Sequence, residues 1–312
     1  MQKSTGNDSL DVVDSCSKYS IMKKGIAMNI RIVTDSASDI LAPHRPEITV
    51  LPITVTFGDK QYSDGVDLTH RQFYELLIEG ESLPVTSQIN PHQFEDAFRE
   101  AVEAGETVVA VVLSGKLSGT YQSACLAAQE FPGKVYVVDS ESAAIGEGIL
   151  VERAVQLIDQ GMNAEAIVRK LNEEKKEICL VALLDTLEYL KRGGRISASV
   201  ALVGGLLSIK PVVAVQSGEV VMLGKARGSK NGNNLLVQEI QKTDGIDFSR
   251  PCRLGYTGLD DSLLQKYIVD SRVLWEGHMD ELPVGTIGGT IGTHVGPGAI
   301  AVAFFRQPCV SR

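Results

Sequence analysis

Short apolar runs of strand length alternate with stretches of helical period through the first half of the chain. Residues 30–33, 48–57, 108–112 and 135–138 read as buried strands, and residues 70–78, 93–104, 143–160 and 164–176 as helices, the first capped by Thr69. Between 108–112 and the helical spacing of Tyr121, Cys125 and Leu126 lies a loop of small residues, so a strand, loop and helix are expected in sequence. Strands alternating with helices predict a parallel, doubly wound sheet with flanking helices, a first domain ending near Asn163. Residues 84–91, bounded by Pro84 and Pro91, read as a stiff connector, with Thr86 and Ser87 facing the loop at Ser118 as the less favoured alternative to a plain loop.

The second half changes character. A strand at 178–183, a short helix at 186–191 stopped by Gly193 and Gly194, and a hairpin of 211–215 with 220–223 around Ser217 and Gly218 come first. Helices at 231–242 and 261–275 then alternate with strands at 252–256, 282–287 and 299–304. This pattern predicts an α+β domain, 164–312, with a mixed or antiparallel sheet. Residues 291–298 read as a glycine-rich loop holding His294 between strands.

Composition narrows the picture. A chain of 312 residues with 44% hydrophobic content suits two domains that share a cleft. A formal net charge of -9 and few aromatics argue against nucleic-acid binding. Cys16, Cys125, Cys179, Cys252 and Cys309 are scattered without a C-x-x-C pair, which suits a reducing cytosol, and no zinc spacing links them to the five histidines. Residues 1–27 lack the apolar core of a signal peptide and read as a flexible, optional or mis-assigned extension. The run 200–215 is broken by glycines, Lys210 and Pro211, so no membrane span and a cytoplasmic location are expected.

The candidate chemistry centres on Leu113 to Ala128, LSGKLSGTYQSACLAA. Two glycines and three hydroxyls precede a helix whose first N–H groups lack internal partners, an arrangement that attracts a carboxylate or phosphate. Ser118 as a simple N-cap is the competing reading. The stretch is neither a Walker A loop, because Lys116 precedes the second glycine, nor a nucleophile elbow, because G-x-S-x-G is not met. Thr34 to Asp39 puts hydroxyls and acids at a strand's carboxyl end, where open parallel sheets place ligands, although Asp35 and Ser38 equally suit a turn and cap. Lys191, Arg192, Arg195, Lys210, Lys225, Arg227 and Lys230 face only Glu219 between positions 191 and 230, which points to an anionic ligand, an acidic partner or an ordinary solvated face.

TDSASDI, FGDKQYSDGVDLT, PVTSQINP, LSGKLSGTYQSA, VVDSESAAIGEG, LKRGGRIS, LLSIKPVV and IGTHVGPGAIAVAF occur in the order that resembles the DegV family, from about Asn29 to Phe305. The resemblance implies two domains enclosing one long-chain fatty acid, similar to the FakB subunits of bacterial fatty acid kinase in phospholipid metabolism. Such a subunit presents the carboxylate to a separate kinase catalytic subunit that makes the acyl phosphate, and it needs no cofactor of its own. Residue by residue, the resemblance assigns the carboxylate contact to Ser118 with Gly119, its other polar contacts to Thr86 and His294 with Ser87 beside them, and phosphate or kinase contact to Arg192, Arg195 and Arg227. Those arginines are expected to flank the tunnel mouth, too far out to hold the carboxylate, and the apolar run 200–207 to line the tunnel. It also implies at most transient membrane contact. Ile89 departs from the proline common after TSQ. The alternative is a serine-dependent esterase or phosphotransferase using Ser118, with His294 as base and Asp35 as orienting acid.

Overall fold

The computed structural model describes residues 29–40, 45–80, 82–197, 209–279 and 281–307; the expected extension 1–27 and the run 200–207 lie outside them. The first half runs β1 (Ile30–Asp35), β2 (Ile48–Leu51), β3 (Thr54–Phe57), β4 (Lys60–Ser63), α1 (His70–Glu79), β5 (Val85–Ser87), α2 (Pro91–Glu103), β6 (Thr107–Val112), α3 (Thr120–Ala128), β7 (Val135–Asp139), α4 (Ala144–Asp159) and α5 (Ala164–Glu174). β2, β1, β6 and β7 form a parallel sheet in that order. Its β6 reads TVVAVV because both faces are covered. Phe94, Phe98, Ala124 and Ala127 of α2 and α3 pack on one face, and Ile149, Val155, Ile167 and Leu171 of α4 and α5 on the other. The sheet is therefore doubly wound, as expected. Helix α5, which follows the boundary expected at Asn163, packs on β6 and β7.

The second half runs β8 (Ile178–Leu183), α6 (Glu188–Arg192), β9 (Ile209–Gln216), β10 (Glu219–Arg227), α7 (Ser229–Gln241), β11 (Arg253–Tyr256), α8 (Ser262–Asp270), β12 (Val284–Thr286), α9 (Gly289–Val295) and β13 (Ile300–Phe305). The sheet order is β10-β9-β8-β13-β11-β12, antiparallel except for β11 with β12, so it is the expected mixed sheet. Helix α4 lies between the two sheets, and its first eight residues, 144–151, are all buried, apolar or glycine except for Glu147.

Three local expectations are corrected. The strand expected at 48–57 is two: Pro52 has no N–H to give to a ladder, β2 stays in the parallel sheet, and β3 joins β4 and β5 in a separate antiparallel sheet. The connector 84–91 contains β5, with Val55 opposite Thr86. The glycine-rich stretch 291–298 expected as a loop is helical up to Val295, as part of α9. Its glycines serve close packing: a Cβ at Gly292 would lie 2.7 Å from Tyr74 Oη and meet the Phe73 ring. That packing overrides the poor helix propensity of glycine. No described helix is long and apolar enough to cross a membrane.

Candidate functional site

The second sheet turns toward α4 a face of small residues, and this makes room for a cavity of about 250 Å³. Ala299 just before β13, with Ala301 and Ala303 on it, alternates with Ile300, Val302 and Phe304, which belong to the core on the other face. Ala301 stands opposite both Ala182 of β8 and Gly255 of β11, so one row across the sheet is built of small residues. Leu180, Leu184, Val213 and Val215 continue the wall, and Ile53, Leu113 and Leu117 from the first half of the chain close it together with Ile287 and Ile291.

Polar groups collect in this lining from three elements: Thr86, Ser87 and Gln88 at β5, Ser118 and Gly119 before α3, and Thr290 and His294 of α9, with Arg195 beside them. The loop before α3 is tied down from below. Asp35, fully buried at the end of β1, accepts from Leu113 N–H (2.9 Å) and Ala37 N–H (2.9 Å); Ser114 Oγ donates to Gly218 O (2.8 Å) at the β9–β10 turn. Ser118 Oγ lies 2.9 Å from Thr120 Oγ1 and accepts from Thr120 N–H (3.3 Å), while the N-cap position is Gly119, which has no side chain to cap with. Helix α9 is held at its start by Asp64, which accepts from Gly289 N–H, Thr290 N–H and Thr290 Oγ1, and at its end presents His294 Nε2 to Thr86 Oγ1 at 3.0 Å.

Burial, reinforced by the nearby Arg195 cation, pushes His294 down to about 4, so its imidazole is neutral near pH 7. Its Nδ1 is buried against Gly193 with no hydrogen-bond partner among the described residues. Burial raises Asp35 to about 6 and holds Glu147 well above the carboxylate range; Thr34 Oγ1 donates to Glu147. Arg195 donates from Nε to Leu117 O (3.0 Å) and from Nη1 to Gly193 O (2.6 Å), and it forms no ion pair with an acidic side chain among the described residues. No described group of His, Cys, Asp and Glu has metal-binding geometry.

The family model that matches residues 29–307 is that of the DegV family, described as uncharacterised proteins. The chain belongs to the DegV family. A DegV domain-containing protein of Deinococcus radiodurans is 36% identical over 278 residues, 88% of this chain and 98% of the relative. Among solved structures, a DegV-family protein from Thermus thermophilus, described for its fatty acid binding, superposes with a TM-score of 0.80 at 35% identity, covering 90% of this chain and 100% of that one. A stearic-acid-binding protein from Eubacterium ventriosum gives 0.78 at 27%, covering 89% and 98%. The fatty-acid-binding DegV protein of Bacillus subtilis gives 0.76 at 28%, covering 90% and 100%.

In this DegV-family chain Ser118, Gly119, Thr86, Ser87 and His294 line one cavity. Arg195 departs from the expectation of a distant rim residue: it lines the cavity with Ser118 because the Gly193–Gly194 turn folds its guanidinium onto the Leu117 carbonyl. Arg192, in the last turn of α6, and Arg227, at the end of β10, are exposed and outside the lining. The serine-nucleophile arrangement is not assembled. Ser118 Oγ pairs with Thr120, His294 Nε2 with Thr86, and both carboxylate oxygens of Asp35 with backbone N–H groups. Gln88 and the alanine row were missed by the sequence reading. Positions 86 and 88 share a face of an extended strand, and the period-two alanines of 299–303 mark one face of another, so both signals were present.

Proposed function

We propose that the chain binds one long-chain fatty acid and presents its carboxylate to a separate kinase catalytic subunit, which phosphorylates it to the acyl phosphate. The observation that carries this reading is the Arg195 guanidinium, set without an acidic partner among the described residues beside the hydroxyls of an otherwise apolar cavity. A half-buried cation of this kind calls for an anion, and the apolar remainder calls for an alkyl chain, each buried methylene contributing about 0.8 kcal/mol. The first domain, 28–163, then supplies the carboxylate-binding loop and the second, 164–312, covers the chain in a cytoplasmic carrier.

His294 sets the polarity of the head-group site in this reading. Of its two neutral tautomers, the one protonated on Nε2 leaves a bare acceptor at the unpartnered Nδ1 instead of an orphaned N–H, the rarer case in buried sites. Nε2–H then donates to Thr86 Oγ1, and the threonine hydroxyl keeps its own proton for the carboxylate. The fatty-acid-binding relatives support the ligand class, and the absent Ser118–His294 pairing supports a carrier over an esterase.

The test measures fatty-acid affinity and kinase-coupled acyl phosphate formation on the same variants. Ser118→Ala and Thr86→Ala each remove a charge-assisted hydrogen bond of roughly 1.5–3 kcal/mol, so affinity falls about tenfold or more. Arg192→Glu and Arg227→Glu bind as the wild type but slow the coupled reaction, and the wild-type rate falls with added salt. Wild-type affinity in both hydroxyl variants removes the head-group assignment, and wild-type coupled rates in both arginine variants remove the docking assignment.

A further inference from the structure

The two hydroxyls of the head-group site come from different elements, which the Gln88 side chain bridges by a hydrogen bond. Thr86 rides on β5 in the three-stranded sheet, whereas Ser118 precedes α3 on the parallel sheet. Gln88 leaves the end of β5 and crosses to α3: its Nε2 donates to the buried Ser123 Oγ at 3.2 Å, and its amide lies against Gly119. A Cβ at Gly119 would stand 2.6 Å from Gln88 Cδ and closer still to Oε1. The strand end that carries Gln88 is itself anchored, because Ile89 is buried and Asn90 caps α2 by accepting from Gln93 N–H (3.0 Å).

We infer that Gln88 is a positioning residue that sets the distance between the Thr86 and Ser118 hydroxyls, and that position 119 is glycine because the Gln88 amide occupies the space of its side chain. This rests on the fatty-acid reading of the cavity. Gln88 is exposed at its outer side and belongs to none of the hydrophobic cores, so removing it leaves the fold intact.

The decisive experiment is a double-mutant cycle of Gln88→Ala and Gly119→Ala, read in two ways. In the ligand-free protein, Gly119→Ala lowers the melting temperature clearly in the wild-type background and little beside Gln88→Ala, where the methyl has room. With ligand, the ratio of affinities for a fatty acid and for its methyl ester is measured, since the ester keeps the chain and loses the charge. Gln88→Ala reduces this ratio by about fivefold or more while leaving ester binding unchanged, which a general loss of structure does not do. An additive cycle, or an unchanged ratio in Gln88→Ala, overturns the inference. If the wild type binds neither ligand while the thermal cycle is non-additive, the fatty-acid reading fails and the Gln88–Gly119 fit stands.

Discussion

Gly193→Ala isolates the part played by His294. Gly193 has φ -71° and ψ -10° as the residue closing α6, a conformation alanine adopts readily, so the backbone bears no cost. The added Cβ, however, lies 2.8 Å from His294 Cε1 and closer still to Nδ1. The ring must retreat by about 1 Å to regain ordinary contact, and a displacement of that size along the Nε2–Oγ1 line takes the 3.0 Å bond to Thr86 out of the working range of about 2.7–3.2 Å. Thr86 then no longer holds its hydroxyl toward the carboxylate. With a charge-assisted bond worth roughly 1.5–3 kcal/mol, affinity for the acid weakens about tenfold to hundredfold. Gly194→Ala is the matched control. Gly194 has φ +69° with no atom near its absent side chain, so alanine there costs roughly 1–2 kcal/mol of stability and leaves affinity unchanged. Titration calorimetry for binding and denaturant unfolding for stability read the two effects separately. Equal affinities in the two variants would refute the argument that His294 orients Thr86.

Two further predictions follow from the wall and from the buried imidazole. Ala301→Leu fills the small-residue row opposite Ala182, so long acids lose roughly 0.8 kcal/mol per excluded methylene and the preference moves to shorter chains, as competition with a chain-length series will show; an unchanged profile would separate Ala301 from the chain path. His294 titrates at about 4 in the folded protein against 6.5 ordinarily, so the unfolded chain binds the extra proton between these values and stability is lost as pH falls from about 6.5 toward 4. Asp35, raised to about 6, acts in the opposite sense between about 6 and 3.8, so the His294 contribution is read as the stability difference between wild type and His294→Gln across that window. It amounts to about 3 kcal/mol before solvent screening, and a pH-independent difference would contradict the burial of the imidazole.

The regular elements were legible because their signals are local. Thr69 with Gln72, and Asn90 with Gln93 after Pro91, start helices whose capping boxes are both formed, and the apolar run at 108–112 is a strand covered on both faces. What was not legible depends on partners distant in sequence. Helix α9 hides behind its glycines because the reason for them is the Phe73 and Tyr74 rings, more than 200 positions earlier. The break at Pro52 shows only once β3 is seen to pair with β5 across the intervening helix. The motifs marked Ser118, Thr86 and His294 as contacts, yet Arg195 was assigned to the rim, since charge along a sequence does not reveal which side of a glycine turn a guanidinium folds onto. Gln88 escaped because an exposed amide beside two hydroxyls has no chemistry of its own until Gly119 is seen beneath it.

The central claim is that one carboxylate-bearing chain occupies the cavity with its head group between Thr86, Ser118 and Arg195. Native mass spectrometry of the gently purified chain, with extraction and identification of whatever it carries, tests it most directly. One long-chain fatty acid per chain, displaced by added fatty acid and not by its methyl ester, is the predicted result. A chain that carries no acid and gains none when fatty acid is supplied, or that takes up ester and acid alike, would contradict it.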